Sequence, residues 1–313
     1  MEKTMKKNAL KEKFGAFDIS LLVVLVVYAL ILFVLFYWAV ITSVKSQNQF
    51  YYDKVALPTG YNYNKFKKFD PLITGAPVWN FGTIFSDFFV KVQTPKGSDF
   101  VGVDMMIVYS ILYAGGCALC NTLAQCLTAY TCAKFPCKIS SILYDIVIVV
   151  MIIPIVGSLP AEVQLAKDLH IYDSILGQWI MKSNFLGIYF MVFYASFRAL
   201  PNTYMEAGKI DGAGNFYIMT RISLPLVRNE FFTILLINFI AFWNDYQIPL
   251  LYLPSHPTIA YGIYNLSVSF DGEFSTVPMR MAGAVSMLLP ILVLFVAFHK
   301  RLLGNLTVGG IKG

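Results

Sequence analysis

The chain is poor in charge. Only 13% of its 313 residues are Asp, Glu, Lys or Arg, where a soluble domain carries about 25%. It has three histidines, His170, His256 and His299, and they are scattered. That scatter removes a His-based metal centre or triad. The five cysteines, Cys117, Cys120, Cys126, Cys132 and Cys137, all fall in or just after one apolar segment. An odd number in such a place is no disulfide framework. No His stands near Cys117-x-x-Cys120, and a small packing residue is the better reading of these cysteines than a metal or redox pair. The chain lacks G-x-x-x-x-G-K-[ST], H-E-x-x-H and a Ser/His/Asp set. It therefore binds no ATP through a P-loop and carries no recognisable hydrolase chemistry. No metal site or cofactor is expected in it.

Long apolar blocks take the place of these features. Hydrophobic residues make up 57% of the chain, and mean hydropathy is +0.63. The blocks are too long and too continuous for the core of a soluble domain. They predict an all-α polytopic membrane protein with six transmembrane helices. The spans are expected at Ile19–Val44, Met105–Thr131, Ile142–Leu159, Phe185–Leu200, Phe231–Leu253 and Met281–Phe298. The first is too long for a signal-peptide core and lacks a small-residue cleavage site.

The expected organisation is a basic arm over residues 1–18, a first span over 19–44 and an outer loop over 45–104. A five-helix core over 105–298 and a tail over 299–313 follow. In the outer loop, Pro58, Gly60, Pro71, Gly75 and Pro77 predict turns, and Trp79–Val90 reads as a short amphipathic segment. With the N-terminus inside, fourteen Lys/Arg fall in the inner segments against three in the short outer loops. The positive-inside rule then puts both termini and the Arg198–Glu230 loop in the cytoplasm. The net charge of +6 is thus a topology signature and implies no nucleic-acid partner.

One polar island stands out, Glu206–Pro225, reading EAGKIDGAGNFYIMTRISLP. A plain connector between two spans needs only a few polar residues. This one has a helical turn at Glu206–Ile210, a break at Asp211-Gly212, and helical spacing again from Asn215 to Ile222 with Phe216, Met219 and Ile222 on one face. Pro225 starts the next element.

The island resembles the "EAA" motif of permease subunits of ABC importers. Glu206, Ala207, Gly212, Ile222, Leu224 and Pro225 match it at the family's spacing. Gly208 stands where a second Ala is usual, a loss of about 1 kcal/mol of helix propensity. The resemblance implies a type I importer permease whose motif forms a coupling helix on a separate cytoplasmic ATPase. Glu206, Ala207, Gly208, Asp211 and Gly212 would carry docking, with Leu224 and Pro225 linking it to the fifth span.

Two further stretches resemble the maltose-type G subunit of carbohydrate importers. They are Trp243-Asn244-Asp245 with Pro249-Leu250, and the Gly-rich ending Gly304–Gly313, which has one extra residue at Asn305 and Gly310 for Ala. In that subgroup the tail, here Thr307, Gly309, Gly310 and Lys312, reaches the interface of the ATPase pair. The resemblance implies a permease subunit for carbohydrate, an oligosaccharide in the first instance, in a prokaryotic cytoplasmic membrane. Its partners would be a second homologous permease, two ATPase subunits holding ATP-Mg, and an extracytoplasmic sugar-binding protein.

Trp243, Asn244, Asp245, Tyr246, Asn121 and Gln125 are candidates for lining the substrate path, since intramembrane polar groups are functional candidates. Structural contacts explain Asn244 and Asp245 equally well. An importer permease for a non-sugar solute, a membrane-embedded enzyme and a proton-coupled carrier are the other readings. The carrier would need intramembrane carboxylates on several helices and an internal repeat, and only Asp145 and Asp245 qualify.

Overall fold

The computed structural model describes residues 15–55, 57–58, 78–94, 97–153, 157–268 and 273–306. The chain divides into two compact units, Met1–Phe81 with Thr276–Val285, and Gly82–Ser275 with Ser286–Gly313.

The first unit holds α1 (Ala16–Ser43) and α2 (Gln47–Tyr52). It also holds the start of α3 (Asn80–Asp87). The apolar stretch of α1 is unburied within the chain, as suits a helix whose solvent is lipid. The carbonyls at its far end need partners that lipid cannot give. Asn80 supplies them, its Nδ2 donating to Ser43 O at 2.8 Å and Lys45 O at 2.9 Å. Ser46 caps α2 by accepting from Gln49 N at 3.2 Å. Lys45 is fully buried and donates to Asp53 O at 3.1 Å. Burial pushes its pKa down, and the charge of Asp53 opposes the shift.

The second unit begins with a feature the composition did not suggest. β1 (Phe89–Thr94) and β2 (Gly97–Gly102) form an antiparallel hairpin, paired from Phe89↔Gly102 to Thr94↔Gly97. The fold is therefore mostly, not wholly, helical. The alternation is in the sequence: Val90 and Val92 turn inward at 3% and 2% exposure, while Phe89, Lys91 and Gln93 face out. The amphipathic segment expected over Trp79–Val90 is the helix α3 alone, ending at Asp87.

The long helix α4 (Val103–Lys134) follows directly and organises this unit. After it come α5 (Lys138–Ile152), α6 (Leu159–Asp168), α7 (Ile175–Met181) and α8 (Ile188–Ala199). The island contains α9 (Thr203–Ile210) and α10 (Asn215–Leu226), the latter π-helical over Ile218–Ser223. Then come α11 (Arg228–Trp243), α12 (Gln247–Tyr252), α13 (Ile259–Val268) and α14 (Val277–Leu306).

Small residues on α4 let its neighbours close in. The Trp179 ring of α7 lies against Gly116, so that a Cβ there would overlap it, and Trp179 Nε1 donates to Leu112 O at 2.9 Å. Nearer the other end, Cys126, Ala129 and Tyr130 of α4 form a core with Phe190, Phe193 and Phe197 of α8, Val147 of α5 and Ile234 of α11. Cys126 is among its fully buried side chains. At the hairpin end, Asp173 accepts from Ser255 N at 3.0 Å and pairs with His256 Nδ1 at 3.3 Å. The Ser255 hydroxyl donates to Gln93 O of β1 at 3.1 Å.

Among the described residues, three helices are long and apolar enough to cross a membrane: Phe17–Ser43, Val103–Lys134 and Val277–Leu294. The pair α10 and α11, bent by 77°, makes a fourth if counted as one span. The expected third span is shorter than drawn, since α5 stops at Ile152 and is about 22 Å long. Residues 154–156, with Pro154, lie outside the described set, and Gly157 beyond them has φ +82°. The fourth shrinks to the twelve residues of α8. The fifth is not one helix: α11 ends at Trp243 and α12 restarts at Gln247. The restart has a local cause, because Asp245 Oδ1 accepts from Ile248 N at 3.1 Å and Pro249 has no N–H to satisfy.

Candidate functional site

The island is a built corner. α9 starts after Asn202, whose carbonyl accepts from Glu206 N at 3.0 Å. It ends at Ile210 with Asp211 as the cap, and Gly212 follows with φ +78°. Gly212 N donates to Lys209 O at 3.0 Å, and Ala213 N to Gly208 O at 2.9 Å. These two bonds make a Schellman stop, whose left-handed position favours Gly. The break read at Asp211-Gly212 has this physical form.

The corner folds α9 back onto α10. Gly208 is buried, and a Cβ placed on it would meet Ile222 Cδ1 at 3.1 Å and Ile218 Cγ1 at 3.2 Å. Its small size therefore serves packing inside the chain, and it offers no surface for docking. That also accounts for Gly where the motif usually has Ala. Glu206, Ala207, Asp211 and Gly212 are exposed, Leu224 is half-buried and Pro225 is exposed. Among the described residues the Glu206 carboxylate has no hydrogen-bond or ion-pair partner.

The expected single face of Phe216, Met219 and Ile222 does not form. Met219 and Ile222 are half-buried, while Phe216 is 75% exposed. The π-helical stretch from Ile218 shifts the phase by one residue. Ile210, at 86% exposure, joins Phe216 in presenting apolar side chains that nothing among the described residues covers. Sequence reasoning passed over Ile210 because an isoleucine on an apolar-rich chain carries no signal of its own.

The path candidates fall into two separate groups. Asn121, Thr122 and Asn238 form one network. Asn238 Nδ2 donates to Thr122 Oγ1 at 2.9 Å and to Asn121 Oδ1 at 3.4 Å, and Asn121 Nδ2 donates to Lys182 O at 2.8 Å. Gln125 is 4% exposed, and its Oε1 has no hydrogen-bond partner among the described residues. The second group is the break between α11 and α12. Trp243 is 3% exposed and its Nε1 donates to Met287 O at 3.2 Å. Asn244 turns back on its own helix, donating to Ile240 O at 2.8 Å. Asp245 accepts from the Tyr113 hydroxyl at 3.0 Å. Tyr246 stacks on Tyr264 with centroids 4.6 Å apart and is 43% exposed. Asn121 lies eight residues past Tyr113 on α4, about 12 Å along the axis.

Beside Trp243 runs a groove of about 810 Å³ between α4, α11 and α14, lined by residues such as Ile111, Gly115, Phe232, Phe239 and Pro290. Its lining is apolar throughout, unlike a sugar site. Among the described residues no cluster of three His, Cys, Asp or Glu is placed to hold a metal. The tail residues Thr307, Gly309, Gly310 and Lys312 lie outside the described residues.

Residues 125–305 match the protein family described as the binding-protein-dependent transport system inner membrane component. The arabinooligosaccharides transport system permease protein AraQ of Bacillus subtilis is 27% identical over 60% of this chain and 66% of its own length. The chain thus spans just under two thirds of that relative. The trehalose/maltose transport system permease protein MalG of Thermococcus litoralis is 24% identical over 78% of this chain and 87% of its own. A solved chain of a bacterial ABC transporter involved in the import of the acidic polysaccharide alginate superposes with a TM-score of 0.69. It covers 91% of this chain and 95% of that one, at 17% identity. At that identity the likeness shows the fold alone.

Proposed function

The chain belongs to the binding-protein-dependent transport system inner membrane component family, and we propose that it is a permease subunit of an ATP-driven carbohydrate importer. The cargo class follows from the relatives, whose names specify arabinooligosaccharides and trehalose or maltose. The oligosaccharide is the first candidate among carbohydrates. The family consists of transport components rather than enzymes, so ATP hydrolysis belongs to a partner chain.

In this reading α9 is the coupling helix. The observation that carries it is the combination of the matched motif with exposed, unpartnered Glu206 and bare Ile210 and Phe216 on a rigidly stopped corner. An exposed carboxylate beside uncovered apolar side chains suits a basic, partly apolar cleft on another protein. The chain crosses the membrane six times, through α1, α4, α5, α8, the α11–α12 pair and α14. Both termini and the motif loop face the cytoplasm. A second permease completes the pathway, two ATPase subunits bind the coupling helices, and a sugar-binding protein delivers cargo from outside. Closure of the ATPases moves each permease half as a body between inward- and outward-open states.

Purification in gentle detergent followed by mass spectrometry tests this. A P-loop ATPase and a second permease must accompany the chain. Recovery of the chain alone, or as a homodimer free of ATPase, would falsify the reading.

A further inference from the structure

Lys134 is the last residue of α4 and is 8% exposed. Lysine is almost never buried without a specific partner. Its Nζ lies 2.7 Å from Leu200 O and 3.2 Å from Asn202 Oδ1. Leu200 closes α8 and Asn202 opens α9. One ammonium therefore spans the joint Leu200-Pro201-Asn202 between the two helices. A cation is favoured at the carbonyl end of α8. Pro201 fixes its own φ and holds Leu200 extended, at φ −70° and ψ 127°. The joint thus has little freedom apart from its anchor on α4.

The other end of the motif loop is held by the same helix. Tyr130 stands one turn before Lys134, is 3% exposed, and packs edge-on against Phe197 with centroids 5.2 Å apart. Met219 and Leu224 of α10 pack against the core cluster to which Tyr130 belongs. The final turn of α4 therefore bonds the entry of the loop directly, and the exit packs on the core that the same turn helps to build. No carboxylate among the described residues pairs with Lys134, so its bonding capacity is directed at the joint.

We propose that Lys134 is a positioning residue for coupling: it locks the α8–α9 joint to α4, so that a displacement of α9 carries α4 with it. The inference rests on reading α9 as the ATPase-docking helix.

The test uses the whole transporter with spin labels at the exposed positions Leu127 on α4 and Lys209 on α9. Their separation is measured without nucleotide and after trapping with ATP and vanadate. In the otherwise unaltered complex the separation is the same in both states. In Lys134→Met the trapped-state distribution shifts or broadens by about 2 Å or more, the size of the helix shifts that carry conformational coupling. Lys134→Arg, which keeps charge and donors, restores the narrow distribution. A Lys134→Met distribution equal to wild type overturns the inference, as does a broadening that Arg fails to reverse. If Lys134→Met does not assemble, Asn202→Ala decides, at an exposed position. Broadening there supports the lock, and no change overturns it. Failure of the unaltered chain to bind any ATPase removes the docking reading itself, which is a separate result.

Discussion

Two polar interruptions sit between apolar helices in this chain, and they use their side chains in opposite ways. At Trp243–Asp245 the polar side-chain atoms are bonded within the chain: Trp243 bonds Met287 O, Asn244 bonds Ile240 O and Asp245 takes the Tyr113 hydroxyl. At the motif loop the backbone closes its own corner, and Glu206, Ile210 and Phe216 are left facing out. Buried polar groups are expected to be satisfied. In our proposal, the surface left uncovered at this corner is offered to a partner. Polarity within an apolar run therefore does not by itself mark a site; what matters is whether the polar groups are already satisfied within the chain.

Substitutions can sharpen that contrast. The largest effect is expected from Gly212→Trp. A bulky L-residue at φ +78° is strained, by roughly 1–2 kcal/mol, and also projects from the proposed docking face. Uptake should be lost while membrane insertion persists, as read by transport and by protein level in the membrane. Normal uptake would remove Gly212 from the coupling role.

Asp245→Ala should come next, but as a stability loss. It strands the buried Tyr113 hydroxyl and uncaps Ile248, costing about 1–3 kcal/mol. Thermal unfolding in detergent would show it, and an unchanged unfolding temperature with altered sugar selectivity would return Asp245 to the substrate path. Ile210→Ala should leave folding unchanged and lower ATPase affinity by roughly 1 kcal/mol or more, as for a buried apolar contact at an interface. Binding measured with purified ATPase would decide, and undiminished affinity would place Ile210 outside the interface. The smallest effect belongs to Gly208→Ala. The helix-propensity gain of about 1 kcal/mol offsets the tight approach to Ile218 and Ile222. A large loss of uptake there would mean that Gly208 faces the partner after all.

The sequence carried the membrane class, the helical character and the motif loop down to the break at Asp211-Gly212. Long apolar blocks and a left-handed glycine leave signals that survive without tertiary context. The hairpin was legible in Val90-Lys91-Val92-Gln93, yet one short alternating run is easily absorbed into a neighbouring amphipathic helix. The helix break at Asn244 was not legible, because its cause is a capping bond from Asp245 that only the fold reveals. The phase of α10 was missed for a similar reason: a π-helical turn keeps helical residues but moves them around the axis. Lys134 looked like one more inner-side cation, and its burial depends on where Leu200 and Asn202 arrive from far along the chain.

The most direct measurement is site-specific photo-crosslinking in the intact membrane complex, with the reactive residue at Phe216 and, in a second preparation, at Tyr246. The account predicts that Phe216 captures an ATP-hydrolysing subunit and Tyr246 does not. Capture of the ATPase from Tyr246, or none from Phe216 in a complex that hydrolyses ATP, would contradict the assignment of the motif loop as the docking corner.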